Sequence, residues 1–280
     1  LAAGKHTLVE KPMATNPTEA AELIEAADGP DAPVLVCAPH VVLSPTYREL
    51  HDRVHQGVIG PVYSARARYG WAGPWWGAWF YEPGGGALFD LGVYNLTSLC
   101  GLLGPVRRVA AMVGVAIEER RAEGHLIDVT ADDNAQVLLD FGHSTFAVIT
   151  TGFTMQKYRS PAIELYGRDG VLQLLGDDWA PEGFEQWSND RGTWEVFPES
   201  APTWPWTDGL RHLIDCVETG RRPLNTPRHA FHALEVMLAA KESARSARFV
   251  EVTSDFPAIA YDEWPDGGLV DARRKHDPRS

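Results

Sequence analysis

Residues 84–95 read Gly84-Gly85-Gly86-Ala87-Leu88-Phe89-Asp90-Leu91-Gly92-Val93-Tyr94-Asn95, and they include the residue types that proton transfer needs. Three glycines let the backbone pass close to a ligand or another element, and they deliver the chain into a helix whose first amides favour an anion or polar group. Asp90 and Tyr94 are four apart and would share one face of that helix. A phenol there can pass a proton while the carboxylate orients it or its substrate. A second group is Glu10-Lys11-Pro12, at the end of an apolar run. Ligands of open α/β sheets sit beyond the carboxyl ends of the strands, where Lys11 would project. An ammonium beside a phenol lowers its pKa from the ordinary value of about 10, which would make Tyr94 usable near neutrality. Trp71, Trp75, Trp76 and Trp79 crowd the loop ahead of the glycines, and indole faces can stack on sugar rings while excluding water. Taken singly, each feature also has a plainer role: glycines for packing, a solvated Asp/Tyr helix face, a solvated turn, tryptophans in a core or interface.

The elements that must position these residues follow from pattern and punctuation. Residues 6–10 form a short β-branched strand stopped by Pro12. Asn16-Pro17 opens a helix that runs to Gly29-Pro30, and residues 33–38 are a second continuous apolar strand. Strand, helix, strand suits the closing unit of a parallel sheet covered on both faces. A helix over 45–56, a strand over 62–69 and an irregular Trp/Gly/Pro-rich loop over 71–86 come next. The helix bearing Asp90 and Tyr94 is expected over 87–103. A strand at 106–116 and hairpins at 134–153 and 162–175 imply an antiparallel sheet. A second Trp/Pro-rich stretch spans 179–206, and helices return at 207–219 and 228–245.

Composition narrows the class. The 280 residues suffice for one large domain or two ordinary ones, and no apolar run approaches the eighteen or so residues of a membrane span. A formal charge of -13 repels phosphate backbones and anionic lipid, so neither nucleic acid nor a membrane is an expected partner. Cys37, Cys100 and Cys216 lack the pairing of a disulfide framework or zinc site and read as buried thiols. His51/His55 and His229/His232 have no carboxylate or cysteine at metal spacing, and no metal is expected. Asn95-Leu96-Thr97 reads as a chance sequon inside a helix, and Arg107-Arg108 and Arg120-Arg121 as solvated charge.

Together the two chemical segments resemble the Gfo/Idh/MocA family of nicotinamide-dependent oxidoreductases. Gly4-Lys5-His6-Thr7-Leu8-Val9-Glu10-Lys11-Pro12 is similar to the family's strand ending in Glu-Lys-Pro, and Asp90-Leu91-Gly92-Val93-Tyr94 to its Asp-x-Gly-x-(His or Tyr). The Tyr form resembles the branch with glucose-fructose oxidoreductase and dihydrodiol dehydrogenase. The fold so implied is α/β then α+β. Residues 1–58 would be the C-terminal part of a Rossmann domain, 59–262 a large, mostly antiparallel sheet domain flanked by helices for substrate binding and oligomerisation, and 263–280 a disordered tail.

The resemblance implies NAD or NADP as cofactor and hydride transfer to or from a sugar-like or cyclic alcohol. Lys11, Asp90 and Tyr94 would be catalytic, and Glu10, Lys11, Pro12 and His40 would contact the cofactor. His40 stands where many members carry an arginine nearby. Trp71, Trp75, Trp76, Trp79 and Asn95 would meet a small-molecule substrate of carbohydrate type. A homo-oligomer through the open sheet face and a cytoplasmic location complete the expectation. The sequence holds no Gly-x-Gly-x-x-Gly, so the chain is expected to be N-terminally truncated and nearly inactive by itself. Two other readings of the same fold are a non-catalytic regulator that senses cofactor or sugar, and a glycosidase assisted by bound NAD.

Overall fold

In the computed structural model, which describes residues 1–264, β1 (Thr7–Val9) lies parallel to β2 (Leu35–Cys37), with Thr7 opposite Leu35 and Val9 opposite Cys37. Helix α1 (Pro17–Ala26) makes the crossover between them. The Asn16 side chain accepts the Glu19 amide at 3.0 Å while Pro17 supplies a helical φ in the first turn. Helix α2 (Pro45–His55) starts the same way, with Ser44 accepting from the Tyr47 amide at 3.4 Å ahead of Pro45. Cap and proline together explain why these starts are legible in the sequence.

The chain then forms β3 (Val62–Gly70), a loop, a wide π-type turn at Leu88–Gly92 and helix α3 (Val93–Leu103). Strands β4 (Arg108–Gly114), β5 (Glu119–Ala122) and β6 (His125–Asp128) follow. Next come β7 (Asn134–Gly142), β8 (Thr145–Gly152), β9 (Ile163–Gly167) and β10 (Gly170–Asp177). Strands β11 (Ala180–Ser188) and β12 (Thr193–Pro198) lead to α4 (Gly209–Thr219), α5 (Pro227–Ser246) and β13 (Val250–Glu251). Nine strands form one sheet in the order β12-β11-β10-β9-β3-β8-β7-β4-β13. Its pairings are antiparallel except β3 with β8, where Ser64 faces Phe146 and Gly70 faces Gly152. A parallel neighbour needs a crossover, and the segment from β3 to β8 carries α3 onto one face of the sheet.

Alternation along the strands sorts the two faces. Val137, Leu139, Ala147 and Ile149 are buried on the helix-covered side, whereas Leu138, Phe146, Val148 and Met112 are exposed on the other. The core continues without a break across residue 58: the Tyr47 hydroxyl in α2 donates to the Ser98 carbonyl in α3 at 2.8 Å. All three cysteines are free and buried. No helix among the described residues is long and apolar enough to cross a membrane.

The Trp/Pro-rich stretch 179–206, to which no element was assigned from sequence, holds β11 and β12, which pair from Gly183–Pro198 to Ser188–Thr193. Its glycines, prolines and tryptophans mask the alternation. Arg120 is not solvated: in the hairpin β5–β6 its guanidinium is largely buried, pairs with Asp133 at 3.0 Å and donates to the Phe153 carbonyl at 2.8 Å. Finally, residues 263 and 264 are not tail. Tyr261–Glu263 form a short turn, the Tyr261 hydroxyl donates to the Val42 carbonyl at 2.5 Å, and Trp264 is buried with its indole donating to the Arg222 carbonyl at 3.2 Å. The rest of the expected tail, 265–280, lies outside the described residues.

Candidate active site

Lys11 leaves the carboxyl end of β1 and reaches the start of the helix that carries Asp90. Its ammonium donates to the Asp90 backbone carbonyl at 2.7 Å and forms an ion pair with the Asp90 carboxylate. The same ammonium stands 5.3 Å from the centroid of the Tyr94 ring. Three residues from two distant segments thus share one cluster, with Lys11 and Asp90 each about one-sixth exposed and Tyr94 9% exposed. Glu10 is exposed beside them and Pro12 is half-buried.

The backbone reasons for this placement are specific. Gly86 has φ +102, and a Cβ there would collide with the Asp132 carboxylate. That carboxylate accepts the Leu88 amide at 2.8 Å and pairs with Lys241 at 2.9 Å, while the Asp132 carbonyl accepts the Ala87 amide at 2.7 Å. The helix start is therefore already satisfied by Asp132, and these two amides are not left for an outside anion. A Cβ on Gly92 would press into Leu88 and approach the Thr151 side chain in β8 to 3.3 Å. Glycine at this position lets the helix lie close on the sheet, which fixes Asp90 and Tyr94 on either side of it. The π-type turn widens the helix there, a feature common at functional sites.

Electrostatics correct one expectation. Tyr94 does not have a lowered pKa: burial pushes the phenol up, and the Asp90, Asp178 and Glu10 carboxylates push it further. The Lys11 ammonium, paired with Asp90, does not reverse that direction. Tyr94 is a neutral phenol at pH 7, a proton donor ready for an oxyanion.

Other expected residues are placed differently. Asn95 is fully buried, its amide donating to Asp178 Oδ2 at 3.0 Å and to the Arg68 carbonyl at 3.4 Å, so it anchors α3 and does not face a substrate. His40 is 6% exposed and packs on Gly209, where a Cβ would strike the imidazole. Burial lowers its pKa despite the carboxylates of Glu10 and Asp208, and the ring is neutral. Trp71 stacks on Trp76 at 5.4 Å and Trp75 meets Trp76 edge-on at 4.8 Å, while Trp79 stacks on Phe80 at 3.7 Å. Trp75, Trp76 and Trp79 are 66%, 53% and 59% exposed. The ring that packs against Tyr94 is instead Tyr69, edge-on at 5.5 Å, with Trp179 tilted against Tyr69 at 6.3 Å.

Tyr69, Asp132, Asp178 and Trp179 are the residues that sequence reasoning missed. Tyr69 carried a usable signal, since it ends the strand that runs into the tryptophan loop. Asp178 is buried, accepts from Asn95 and from the Ser98 hydroxyl at 3.1 Å, and has its carboxyl pushed up to about 7 by burial. Nothing local in the sequence marks it or Asp132.

The GFO/IDH/MocA C-terminal domain matches residues 47–173 of this chain, from inside α2 to β10. An uncharacterised oxidoreductase of Synechocystis sp. is 30% identical over 187 residues, which is 63% of this chain and 49% of that protein. The chain therefore spans about half the length of that relative. The trans-1,2-dihydrobenzene-1,2-diol dehydrogenase of Sus scrofa is 26% identical over 275 residues, 91% of this chain and 74% of that one. Among solved structures, levoglucosan dehydrogenase in complex with NADH and levoglucosan has the same fold, with a TM-score of 0.77 at 20% identity over 90% of this chain and 75% of the other. Residues 47–173 thus match a Gfo/Idh/MocA C-terminal domain, and the chain as a whole is related in sequence and fold to oxidoreductases of that family.

Proposed function

We propose that this chain forms the substrate side of an NAD(P)-dependent oxidoreductase site that acts on a sugar-like or cyclic alcohol or diol. The observation that carries this reading is the convergence of Lys11, Asp90 and Tyr94 from segments 79 residues apart. The residues present suit the nicotinamide end of a dinucleotide: Lys11 and the exposed Glu10 stand at the carboxyl end of a parallel strand, where such ligands lie. Bound nicotinamide supplies or accepts the hydride. In the reduction direction the neutral Tyr94 phenol gives its proton to the developing alkoxide, the Lys11 ammonium lies beside that oxygen, and Asp90 orients neighbouring hydroxyls. In oxidation Tyr94 must first lose its proton, which the nearby carboxylates oppose, so oxidation speeds up as pH rises.

The assay compares variants at high cofactor concentration. A panel of sugars and cyclic diols is followed by NADH absorbance and by product mass. Substrate-dependent change in NADH that Tyr94 controls supports the reading. Bond cleavage without net change in NADH would replace it with internal redox, and binding of cofactor and sugar without any conversion would replace it with a sensor. We also place a homo-oligomer on the sheet face that exposes Met112, Leu138, Phe146 and Val148, checked by light scattering of the purified chain.

A further inference from the structure

One ring beyond Tyr94, past Tyr69, a cavity of about 280 Å³ opens between Tyr69, Trp71, Tyr158 and Trp179, with Asp177 and Lys157 at its polar edge. Its walls are held from behind. Trp206 meets Trp179 edge-on at 6.3 Å, and the Arg68 guanidinium lies 3.5 Å from the Tyr158 ring centroid while its Nε donates to Ser160 at 2.6 Å. The Asp177 carboxylate is oriented by the Tyr158 hydroxyl at 2.7 Å and by Arg68 at 3.5 Å. The indole nitrogen of Trp179 is buried and has no hydrogen-bond partner among the described residues. A buried donor without an acceptor keeps the full cost of its lost hydration, so an acceptor supplied from outside has something to gain there.

The lining selects a chemistry. A purely apolar ligand would strand the Trp179 N–H and the Asp177 carboxylate, an anion would meet Asp177, and a cation would meet Lys157. A neutral ring with two apolar faces and hydroxyls around its edge satisfies aromatic walls and both kinds of polar group. Small-ligand pockets start at roughly 300 Å³, so this cavity suits a single ring-sized group. We propose that it is a second carbohydrate subsite, holding the neighbouring ring of a disaccharide or glycoside whose reacting ring stands at Tyr94. The position of the reacting ring rests on the function proposed above; binding in the cavity does not.

Binding by the whole chain tests this without turnover. Calorimetry and saturation-transfer NMR are run with cellobiose, maltose and lactose beside glucose and galactose. At least one two-ring sugar is expected to bind about tenfold tighter than its component monosaccharides, a difference of about 1.4 kcal/mol. Trp179→Ala is expected to erase that preference, and Tyr94→Phe to keep it. Should Trp179→Ala fail to fold by circular dichroism, Trp179→Phe, which keeps a ring but loses the N–H, and Asp177→Asn are expected to reduce it. Equal affinity for one and two rings, no binding of any two-ring sugar, or a preference that survives every folded cavity variant overturns the proposal. A two-ring preference that depends on Trp179, found with no hydride transfer on any sugar, would leave the subsite standing and remove the oxidoreductase reading. Hydride transfer on monosaccharides without that preference would do the reverse.

Discussion

Two aromatic groups flank the candidate site, and they are assembled in opposite ways. Trp71, Trp75, Trp76 and Trp79 fall within nine residues of sequence, and Trp71, Trp75 and Trp76 pack mainly on one another, with Trp75, Trp76 and Trp79 more than half exposed. Tyr69 and Tyr94 come from β3 and α3, meet edge-on, and are tied to Lys11 and Asp178 through a strand end and a buried carboxylate. Density of one residue type along the chain marks a loop; a reactive geometry requires side chains held by rigid elements from several segments. Tyr94 sits among three carboxylates that keep its proton on.

The contrast can be broken at several points. Lys11→Ala leaves the Asp90 carboxylate beside Tyr94 without its cation, and kcat is expected to fall on the order of a hundredfold, about 2.7 kcal/mol. Steady-state turnover checks this, and a rate within threefold of the unmodified chain would put Lys11 outside the chemistry. Asp132→Ala removes the acceptor of the Leu88 amide and the partner of Lys241, and is expected to cost about 2 kcal/mol of stability in urea unfolding. A change below about 0.5 kcal/mol would mean that the helix start does not depend on Asp132.

Smaller effects test the charge argument. Asp178 is pushed up to about 7, so above that pH it is an anion that raises the Tyr94 pKa. Asp178→Asn removes that negative charge and keeps an acceptor for Asn95 and Ser98. Tyr94 then releases its proton more readily, and the alkaline rise in the oxidation rate is expected to move to lower pH by up to about one unit. A shift to higher pH would contradict the sign. The smallest effects belong to the exposed loop: Trp75→Ala and Trp76→Ala are expected to change stability by no more than about 0.5 kcal/mol and kcat by less than about threefold. A larger loss of kcat in either would bring the loop tryptophans into the site.

Legibility in the sequence followed the range of the interactions. The starts of α1 and α2 were readable because Asn16-Pro17 and Ser44-Pro45 act on the next few residues, and the hairpins β7–β8 and β9–β10 because alternation and turn residues coincide. Hairpins β5–β6 and β11–β12 were hidden by arginines and tryptophans whose burial depends on distant partners, such as Arg120 on Asp133. Lys11, Asp90 and Tyr94 were visible as residue types at the ends of elements, but the balance of charge among them was not. It depends on Asp178, which reaches the site through Asn95 across 83 residues. Asp132 escaped notice for the same reason, acting on the Leu88 amide from 44 residues away.

We propose that Tyr94 moves the proton while Lys11 and Asp90 hold the charge and the hydroxyls. Tyr94→Phe tests it most directly, because the substitution removes only the phenolic oxygen and keeps the ring against Tyr69. With cofactor and sugar binding followed in parallel, kcat on the best substrate of the panel is expected to drop by about a hundredfold or more while both affinities stay within about threefold. Turnover at the unmodified rate with the Phe side chain in place would mean that Tyr94 does not carry the proton.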